Sequence, residues 1–377
     1  MRIALDAMGG DNAPFEIVWG GALAAAQTED SIILVGDEKA IRKSLKHRHP
    51  KIRPVPDVEA LLKSGRLTIV HTDEAIAMDD APAAAVRRKK NCSINVCMRM
   101  VKEGQADAAV SAGNSGAMAA SALFILGRIK GVARPAIATV MPTSNASRPL
   151  LLLDAGANTD CHHEWLREFA VMGDIYSRLV LGREEPTIGL MSIGTEDCKG
   201  NELTKHAFPL LRSYTPGICF KGNVEGHDVF EGETDVIVCD GFIGNVILKT
   251  SESAAHAMGG WLKRIIKSSI WYKLAAIPLI PALKTFKQHM DPEVYGGAPL
   301  LGVPGAVIIT HGSSTHKAIF YACRAGSRAA KHNVSQAIAE RIAALPEAPL
   351  DEELDALLHN ASQPAAQNPV ENDTEKR

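Results

Sequence analysis

Short apolar runs alternate with helix-length segments along most of the chain, and this alternation constrains the fold more than any other feature. Runs of five or six residues that are typical of buried strands lie at 2–6, 31–36, 67–71, 107–111, 136–141, 150–154, 187–192, 216–220, 235–240 and 305–310. Segments long enough for helices lie at 13–27, 37–47, 93–104, 115–127, 162–182, 201–212 and 313–331. The runs are too uniformly apolar to have a solvated face, so the pattern predicts an α/β fold with a mostly parallel sheet covered on both sides.

Composition excludes several classes of protein. The 377 residues are 46% hydrophobic and 22% charged, and the net charge of -2 gives no field that would favour nucleic acid. The seven cysteines form no C-x-x-C pair, which is typical of reduced thiols in the cytosol. The first residues enter a strand directly, and no uncharged apolar stretch reaches about 18 residues. We therefore expect a cytoplasmic protein.

Domain organisation follows from the same pattern. We expect one catalytic domain over 1–345, followed over 346–377 by a short helix and a disordered tail. From about residue 361 the chain is polar, contains proline and has no periodicity.

Glycine-bearing turns rich in Asp, Asn and Ser follow six of the predicted strands. They are DAMGGD (6–11), SAGNSGA (111–117), DAGAN (154–158), SIGTEDCKGN (192–201), DGFIGN (240–245) and HGSS (311–314). Any one of them could be a tight turn that needs a positive φ. Because the C-terminal ends of parallel strands line one crevice, we expect the six to meet there in one polar ligand site.

The first of these turns holds two carboxylates where a helix N-terminus would otherwise favour an anion. We expect Asp6 to accept hydrogen bonds from glycine amides and fix the shape of the turn, with a role as catalytic base as the alternative. Asp11 or Asn12 is expected to cap the following helix.

Eight motifs occur in order along residues 1 to about 330 and together carry a family resemblance. They are DAMGGD, SAGNSGA, LLLDAGAN, KGNEL, GNVEG, DGFIGNVILKT, YGGAPLLG and HGSS. The chain resembles the bacterial phosphate acyltransferases, the acyl-ACP:phosphate acyltransferases of phospholipid synthesis. This resemblance implies a three-layer, Rossmann-like α/β/α sandwich related to phosphotransacetylases and isocitrate dehydrogenases, assembled as a homodimer without a nucleotide or metal cofactor.

The same resemblance implies an activity and partners. A long-chain acyl group would pass from acyl carrier protein to inorganic phosphate, giving an acyl phosphate that a membrane glycerol-3-phosphate acyltransferase consumes. It also implies that the protein associates peripherally with the membrane.

Attack of phosphate on a thioester needs a phosphate cradle and stabilisation of the oxyanion. The catalytic candidates are Lys199, Asn201, His311 and Asp6. The candidates for binding phosphate or substrate are Gly9, Gly10, Asp11, Ser111, Gly113, Asn114, Ser115, Gly116, Asp154, Asn158, Asp240 and Asn245. For His311, a buried core histidine is the alternative.

A basic run, Arg87, Arg88 and Lys89, could contact phosphate or the acidic carrier protein, or it could be a solvated helix face. Residues 253–290 are rich in aromatic and basic side chains and contain no acidic one. We expect this segment to be helical and to project, with Trp261, Lys263, Ile266, Trp271 and Lys273 contacting either the membrane surface or a dimer partner.

Other functions are weighed against this one. A phosphotransacylase acting on CoA thioesters would have no use for 253–290, and a catalytically silent scaffold of lipid synthesis is the alternative outside enzymology. A dinucleotide-dependent dehydrogenase is disfavoured because no G-x-G-x-x-G follows the first strand. No G-x-S-x-G motif, the usual setting of a catalytic serine, is present. Cys198 is interpreted as an incidental thiol. The run 161–164 (CHHE) favours a helix start over a zinc site.

Overall fold

The computed structural model describes residues 1–355, so the tail predicted from 361 lies outside the described residues. The strands are β1 (Arg2–Asp6), β2 (Ser31–Gly36), β3 (Leu67–His71), β4 (Ala108–Ser111), β5 (Ala136–Met141), β6 (Leu150–Leu153), β7 (Thr187–Met191), β8 (Cys219–Val224), β9 (Val236–Val238), β10 (Ala298–Leu301) and β11 (Ala306–Ile309). The helices are α1 (Phe15–Gln27), α2 (Glu38–Lys46), α3 (Val58–Lys63), α4 (Pro82–Arg88), α5 (Ser93–Lys102), α6 (Ser115–Ile125), α7 (His163–Leu179), α8 (Glu202–Ser213), α9 (Asp228–Glu231), α10 (Gly241–Ser268), α11 (Ile270–Ala276), α12 (Ile280–His289), α13 (His316–Lys331) and α14 (Val334–Ala343).

Each predicted strand has a counterpart, with two corrections. The strand predicted at 216–220 lies later, at Cys219–Val224, and β10 was not predicted because its four residues include Pro299. Four helices between predicted elements were also missed: α3, α4, α9 and α14.

The strands form one sheet in the order β3-β2-β1-β4-β11-β10-β5-β6-β9-β7-β8. The first five are mutually parallel, and so are the last four. Between these two sets, β10 is antiparallel to both β11 and β5, and β5 is antiparallel to β6. Three successive reversals make the second set run opposite to the first, so the two sets have their C-terminal ends on opposite edges of the sheet.

This reversal makes one prediction wrong. The turns after β1, β4 and β11 lie at one edge, whereas those after β6, β7 and β9 lie at the other, so the six turns do not meet in a single crevice. The mostly parallel sheet itself is as predicted.

Helices cover both faces of the sheet, which gives the expected three layers. On β1, Ile3 and Leu5 pack in a core with α1 and α13, while Ala4 packs on the other face in a core with α5 and α6. A third core joins the second set of strands to α7, α8 and α14.

Helix α10 leaves this body soon after it starts. It has 28 residues, a length of about 42 Å, and only Gly241 and Gly244 are buried. Helix α11, which follows it, has no buried residue. Among the helices of residues 1–355, none combines the length and apolar character needed to cross a bilayer.

The close contact between α1 and α13 generates a stability prediction. A Cβ at Gly20 would lie 2.5 Å from Ile319 Cβ and 2.8 Å from the His316 carbonyl oxygen. We expect Gly20→Ala to lower the free energy of unfolding by about 1–3 kcal/mol because α13 must shift. The control Gly259→Ala, with nothing within 4 Å, should leave it unchanged or raise it by up to about 1 kcal/mol. Chemical unfolding measures both, and equal midpoints for the two variants would contradict the packing described.

Candidate functional site

Three of the glycine turns meet at the C-terminal ends of β1, β4 and β11. The Thr310 amide donates to the Ser111 carbonyl (2.9 Å), which joins the end of β11 to the end of β4. The Asp11 amide donates to the Gly312 carbonyl (2.8 Å), which joins the first turn to the last. We call residues 6–12, 111–116 and 311–314 the first cluster.

A buried carboxylate organises this cluster. Ser111 Oγ donates to Asp6 Oδ2 (2.6 Å) and accepts from the Gly113 amide (2.9 Å), and the Met8 amide donates to Asp6 Oδ1 (3.1 Å). Burial raises the pKa of Asp6, against the effect of these hydrogen bonds. A Cβ at Gly9 would lie 2.4 Å from Asp6 Oδ2. Asp6 therefore has the turn-shaping contacts expected of its first role, and the Ser111 hydroxyl is already used.

Asn114 is likewise committed to structure. Its Oδ1 caps α6 by accepting from the Ala117 amide (3.0 Å), and its Nδ2 donates to the carbonyls of Met78 and Asp80 (3.1 Å each). Both Nδ2 hydrogens are therefore used, and the role predicted for Asn114 in binding phosphate stays a prediction. The first two amides of α6, on the exposed Ser115 and Gly116, have no acceptor within the helix.

His311 and Asp11 are both exposed in the first cluster. His311 Nδ1 lies 2.7 Å from Ser313 Oγ, so the core-histidine alternative is wrong. The predicted cap is also wrong, because Pro14 occupies the N-cap position of α1 without a side-chain hydrogen bond. Asn12 Nδ2 instead donates to the Ser313 carbonyl (3.0 Å).

The basic run at the end of α4 flanks the first cluster and is partly paired. Asp80 lies 2.6 Å from Lys89 Nζ and 3.6 Å from Arg88 Nη2. The Arg87 guanidinium stacks 4.7 Å from the centroid of the Phe124 ring. One carboxylate offsets one of the three positive charges, so the role predicted for this run in contacting phosphate or the carrier protein stays a prediction.

The other three turns meet at the opposite edge, where β6, β9 and β7 end. The Asp154 amide donates to the Cys239 carbonyl (3.1 Å), and the Gly241 amide donates to the Asn158 carbonyl (2.7 Å). Strand β7 lies beside β9, so its following loop lies at the same edge. We call residues 154–158, 192–201 and 240–246 the second cluster.

Asp154 organises the second cluster as Asp6 organises the first. It is fully buried and accepts from the amides of Ile137, Gly156, Ala157 and Asn158 at 2.7–3.1 Å. Asn158 Nδ2 also donates to it (2.9 Å). Burial raises the pKa of Asp154, while these bonds act to lower it. Both side chains fix the loop, and the binding roles predicted for Asp154 and Asn158 stay predictions.

The start of α10 completes this loop packing. Asp240 Oδ1 caps the helix by accepting from the Ile243 amide (2.9 Å), and its predicted contact with substrate stays a prediction. A Cβ at Gly244 would lie 1.9 Å from the Asp154 carbonyl oxygen, so only glycine lets the helix approach. Asn245 is exposed beside Gly156 and is available to a ligand.

The loop after β7 supplies a cation. Lys199 is exposed, and within residues 1–355 its ammonium forms no salt bridge. Asn201 Oδ1 caps α8 by accepting from the Thr204 amide (3.0 Å), which leaves its amide hydrogens for a ligand. Asn223 Nδ2 holds the loop through the Glu196 carbonyl (2.8 Å).

Exposed apolar side chains accompany these polar groups, and sequence reasoning missed them. Ile193 is 79% exposed, Phe242 59% and Val246 49%. Two of these residues, Ile193 and Phe242, lie inside the glycine turns, and this position in the sequence could have indicated an exposed apolar surface. An unpaired cation, free amide groups and an apolar surface at one edge suit a ligand with an anionic end and a hydrocarbon part.

The His/Glu group at the start of α1 has contacts that fit hydrogen bonding better than metal binding. Glu16 lies 3.0 Å from His49 Nε2 and 2.7 Å from His316 Nδ1. The Lys51 amide donates to His49 Nδ1, so Nε2 carries the proton and faces Glu16. Burial acts to raise the pKa of Glu16, but the histidine bonds outweigh it and lower it to about 2.

Comparison with known proteins agrees with the fold and the motifs. A family model described as "Fatty acid synthesis protein" matches residues 1–337. The chain is 47% identical over 340 residues to a phosphate acyltransferase of Moorella thermoacetica, covering 90% of this chain and 95% of the relative. It is 48% identical over 336 residues to a phosphate acyltransferase of a Nostoc species, covering 89% and 94%.

Solved structures support the fold. A phosphotransacetylase (EutD) from Staphylococcus aureus superposes with a TM-score of 0.56 at 16% identity, covering 88% of this chain and 94% of that one. The predicted family, fold class and enzyme class are thus confirmed. The chain belongs to the phosphate acyltransferase family and is an acyltransferase.

Proposed function

We propose that this protein transfers a long-chain acyl group from acyl-ACP to inorganic phosphate, giving an acyl phosphate for phospholipid synthesis. The names of its relatives support an acyl transfer that involves phosphate. The observation that carries the proposal is the second cluster, where the unpaired Lys199 and the free amide of Asn245 lie at one sheet edge with exposed apolar side chains.

The cation Lys199 favours the second cluster as the site of phosphate transfer. In the first cluster the exposed Asp11 carboxylate faces Gly312, and the Lys89 ammonium is paired with Asp80. A phosphate dianion would be repelled by Asp11 there. In the second cluster Asp154 is buried and saturated with amide donors, and the buried Asp240 caps α10. The exposed Lys199 supplies a cation in the loop itself, with the Glu196 carboxylate beside the same glycine, Gly194.

The reaction needs no covalent enzyme intermediate. A phosphate oxygen attacks the thioester carbon, the carbonyl oxygen becomes an oxyanion, and the carbon–sulfur bond then breaks. The proton of the hydrogen phosphate passes to the departing carrier thiolate, so charge and atoms balance. Lys199 would bind the phosphate or stabilise the oxyanion, and the amide hydrogens of Asn201 and Asn245 would donate to the same oxygens.

A long acyl chain fits the apolar surface better than a short one. Met258 and Trp261 are exposed in the second half of α10. At its start, the exposed Phe242 and Val246 give the second cluster an apolar surface. A short-chain CoA thioester would leave it without an occupant, whereas a long-chain donor explains it.

Peripheral membrane association is part of the proposal. Trp261, Trp271, Lys263 and Lys273 are exposed and Ile266 is half-buried, so the predicted contact residues are accessible. Lysine and arginine without an acidic neighbour would meet anionic headgroups while the aromatic rings enter the interface. The alternative, contact with a second copy in a homodimer, would bury the same side chains.

The catalytic proposal predicts phosphate-dependent release of free carrier protein from palmitoyl-ACP, with the product trapped by hydroxylamine. Lys199→Ala should lower kcat/KM by about a hundredfold, the loss expected for removing a charged donor to the transition state. Lys43→Ala, an exposed lysine on α2, is the matched control and should leave the rate unchanged.

Three results would contradict this prediction. A Lys199→Ala rate within threefold of the unmodified protein would remove the second cluster from the chemistry. Faster turnover of palmitoyl-CoA than palmitoyl-ACP would favour the CoA phosphotransacylase, and no turnover of either thioester would favour the scaffold.

The membrane proposal predicts co-sedimentation with vesicles containing anionic lipid and weak binding to zwitterionic ones. Replacing Trp261 and Trp271 together by alanine should reduce vesicle binding by at least tenfold, since both rings are exposed. Phe230→Ala, an exposed aromatic residue outside the segment, is the control. If the double variant keeps vesicle binding but changes molar mass in light scattering, the segment is a dimer contact instead.

A further inference from the structure

The part of the chain beyond the family match packs on α7 and α8, the helices that follow two loops of the second cluster. The family model ends at residue 337, whereas the structure continues through a segment over 346–355, which we call the C-terminal segment. Its last residues, 351–355, are helical, and Leu354 is fully buried. A buried leucine shows that this segment packs on the protein body instead of extending into solvent.

One end of the C-terminal segment is fixed at α7. Arg167 is 6% exposed, and its Nη2 donates to the carbonyls of Pro346 (2.8 Å) and Tyr214. His163, the first residue of α7, has Nε2 3.3 Å from Asp351. These contacts join the segment to the helix that follows the Asn158 loop.

The other end is fixed at α8 by a charged histidine. His206 Nδ1 lies 2.8 Å from the Glu202 carbonyl, and Nε2 lies 3.0 Å from Asp355 Oδ1. Both neighbours are acceptors only, so both ring nitrogens must carry a proton and the ring is an imidazolium. His206 lies on α8 shortly after Lys199 and Asn201, so the segment holds the helix that follows the Lys199 loop.

We infer that the C-terminal segment clasps the N-terminal parts of α7 and α8 and thereby positions the loops of the second cluster, with His163 and His206 as positioning residues. This inference rests on the proposed function for its effect on catalysis. Neither histidine touches substrate; each acts through the helix whose preceding loop carries a candidate ligand group.

The charges around the two histidines make the clasp depend on pH. The His163 and His206 rings are 5.5 Å apart, and the His162 ring is 4.2 Å from that of His163. His163 faces Asp351, His162, His206 and Glu164, and its pKa is lowered, first by burial and then by the other histidines. His206 faces Asp355 and Glu202; burial acts to lower its pKa, but these partners outweigh it and raise it.

The directions of the two histidine pKa shifts define the pH range in which the C-terminal segment docks most stably. A lowered pKa means that docking loses stability as pH falls and His163 becomes charged. A raised pKa means that docking loses stability as pH rises and His206 loses its proton. The clasp should therefore be tightest near the ordinary histidine pKa of about 6.5, with His206 charged and His163 neutral.

The test uses full-length protein and amide exchange read by mass spectrometry, expressed as protection factors at pH 5.5, 6.5 and 8. Protection of 346–355 and 197–206 should peak at the middle pH. Replacing Asp351 and Asp355 together by asparagine should lower protection at pH 6.5 about threefold to tenfold, as expected for losing the partly exposed His206–Asp355 ion pair and the polar contact of neutral His163 with Asp351. The loss of protection between pH 6.5 and 8 should become smaller, because Asp355 no longer raises the pKa of His206. The loss toward pH 5.5 should persist, because Asp351 no longer acts to raise the pKa of His163.

Two further variants test the docking of the C-terminal segment. Leu354→Ala, which removes the buried anchor, should lower protection by tenfold or more, and Glu352→Gln on the same helical turn is the matched control. In the activity assay the double aspartate variant should raise the KM for phosphate about threefold while kcat stays within twofold, because a loosened loop weakens binding more than chemistry.

The outcomes separate the two proposals. Unchanged protection in both the double aspartate and the Leu354→Ala variants would overturn the clasp, and lowered protection with an unchanged phosphate KM would overturn its positioning role. An unmodified protein that turns over no thioester would instead overturn the proposed function, and the exchange measurements would still decide whether the segment docks.

Discussion

The antiparallel pairing of β10 with β11 and β5, and of β5 with β6, determines where every functional group of this protein lies. Without those reversals, all six glycine turns would share one edge. With them, the protein has two polar clusters at opposite edges, built from similar parts. In the proposed function, the exposed Lys199 is the group that makes the second cluster the phosphate site.

Both clusters use the same structural device, a buried aspartate at the C-terminal end of a strand. Asp6 and Asp154 accept backbone amides from the turns that follow them, and neighbouring glycines leave room for the close approach. These hydrogen bonds explain how a buried carboxylate can lie in a loop next to the proposed anion site. The cost of burying each carboxylate is offset by its hydrogen bonds, and the turns are held rigid for substrate binding.

Much of the fold could be predicted from the sequence because parallel strands buried on both faces have a strong apolar signal, as at 31–36 and 150–154. Strand β10 could not, because a four-residue run with Pro299 has no such signal, and the direction of pairing depends on tertiary packing. The site motifs were found, but side-chain roles were not. Whether Asn114 or Asn245 is free for a ligand depends on partners distant in sequence, such as the Met78 carbonyl.

The central claim is that phosphate binds at the second cluster, and the most direct measurement is a crystal structure of the protein with bound arsenate, located by its anomalous scattering. The account predicts an anion in contact with Lys199 Nζ and the amide of Asn245. An anion held instead by the amides of Ser115 and Gly116 at the start of α6, with the Lys199 loop empty, would contradict it.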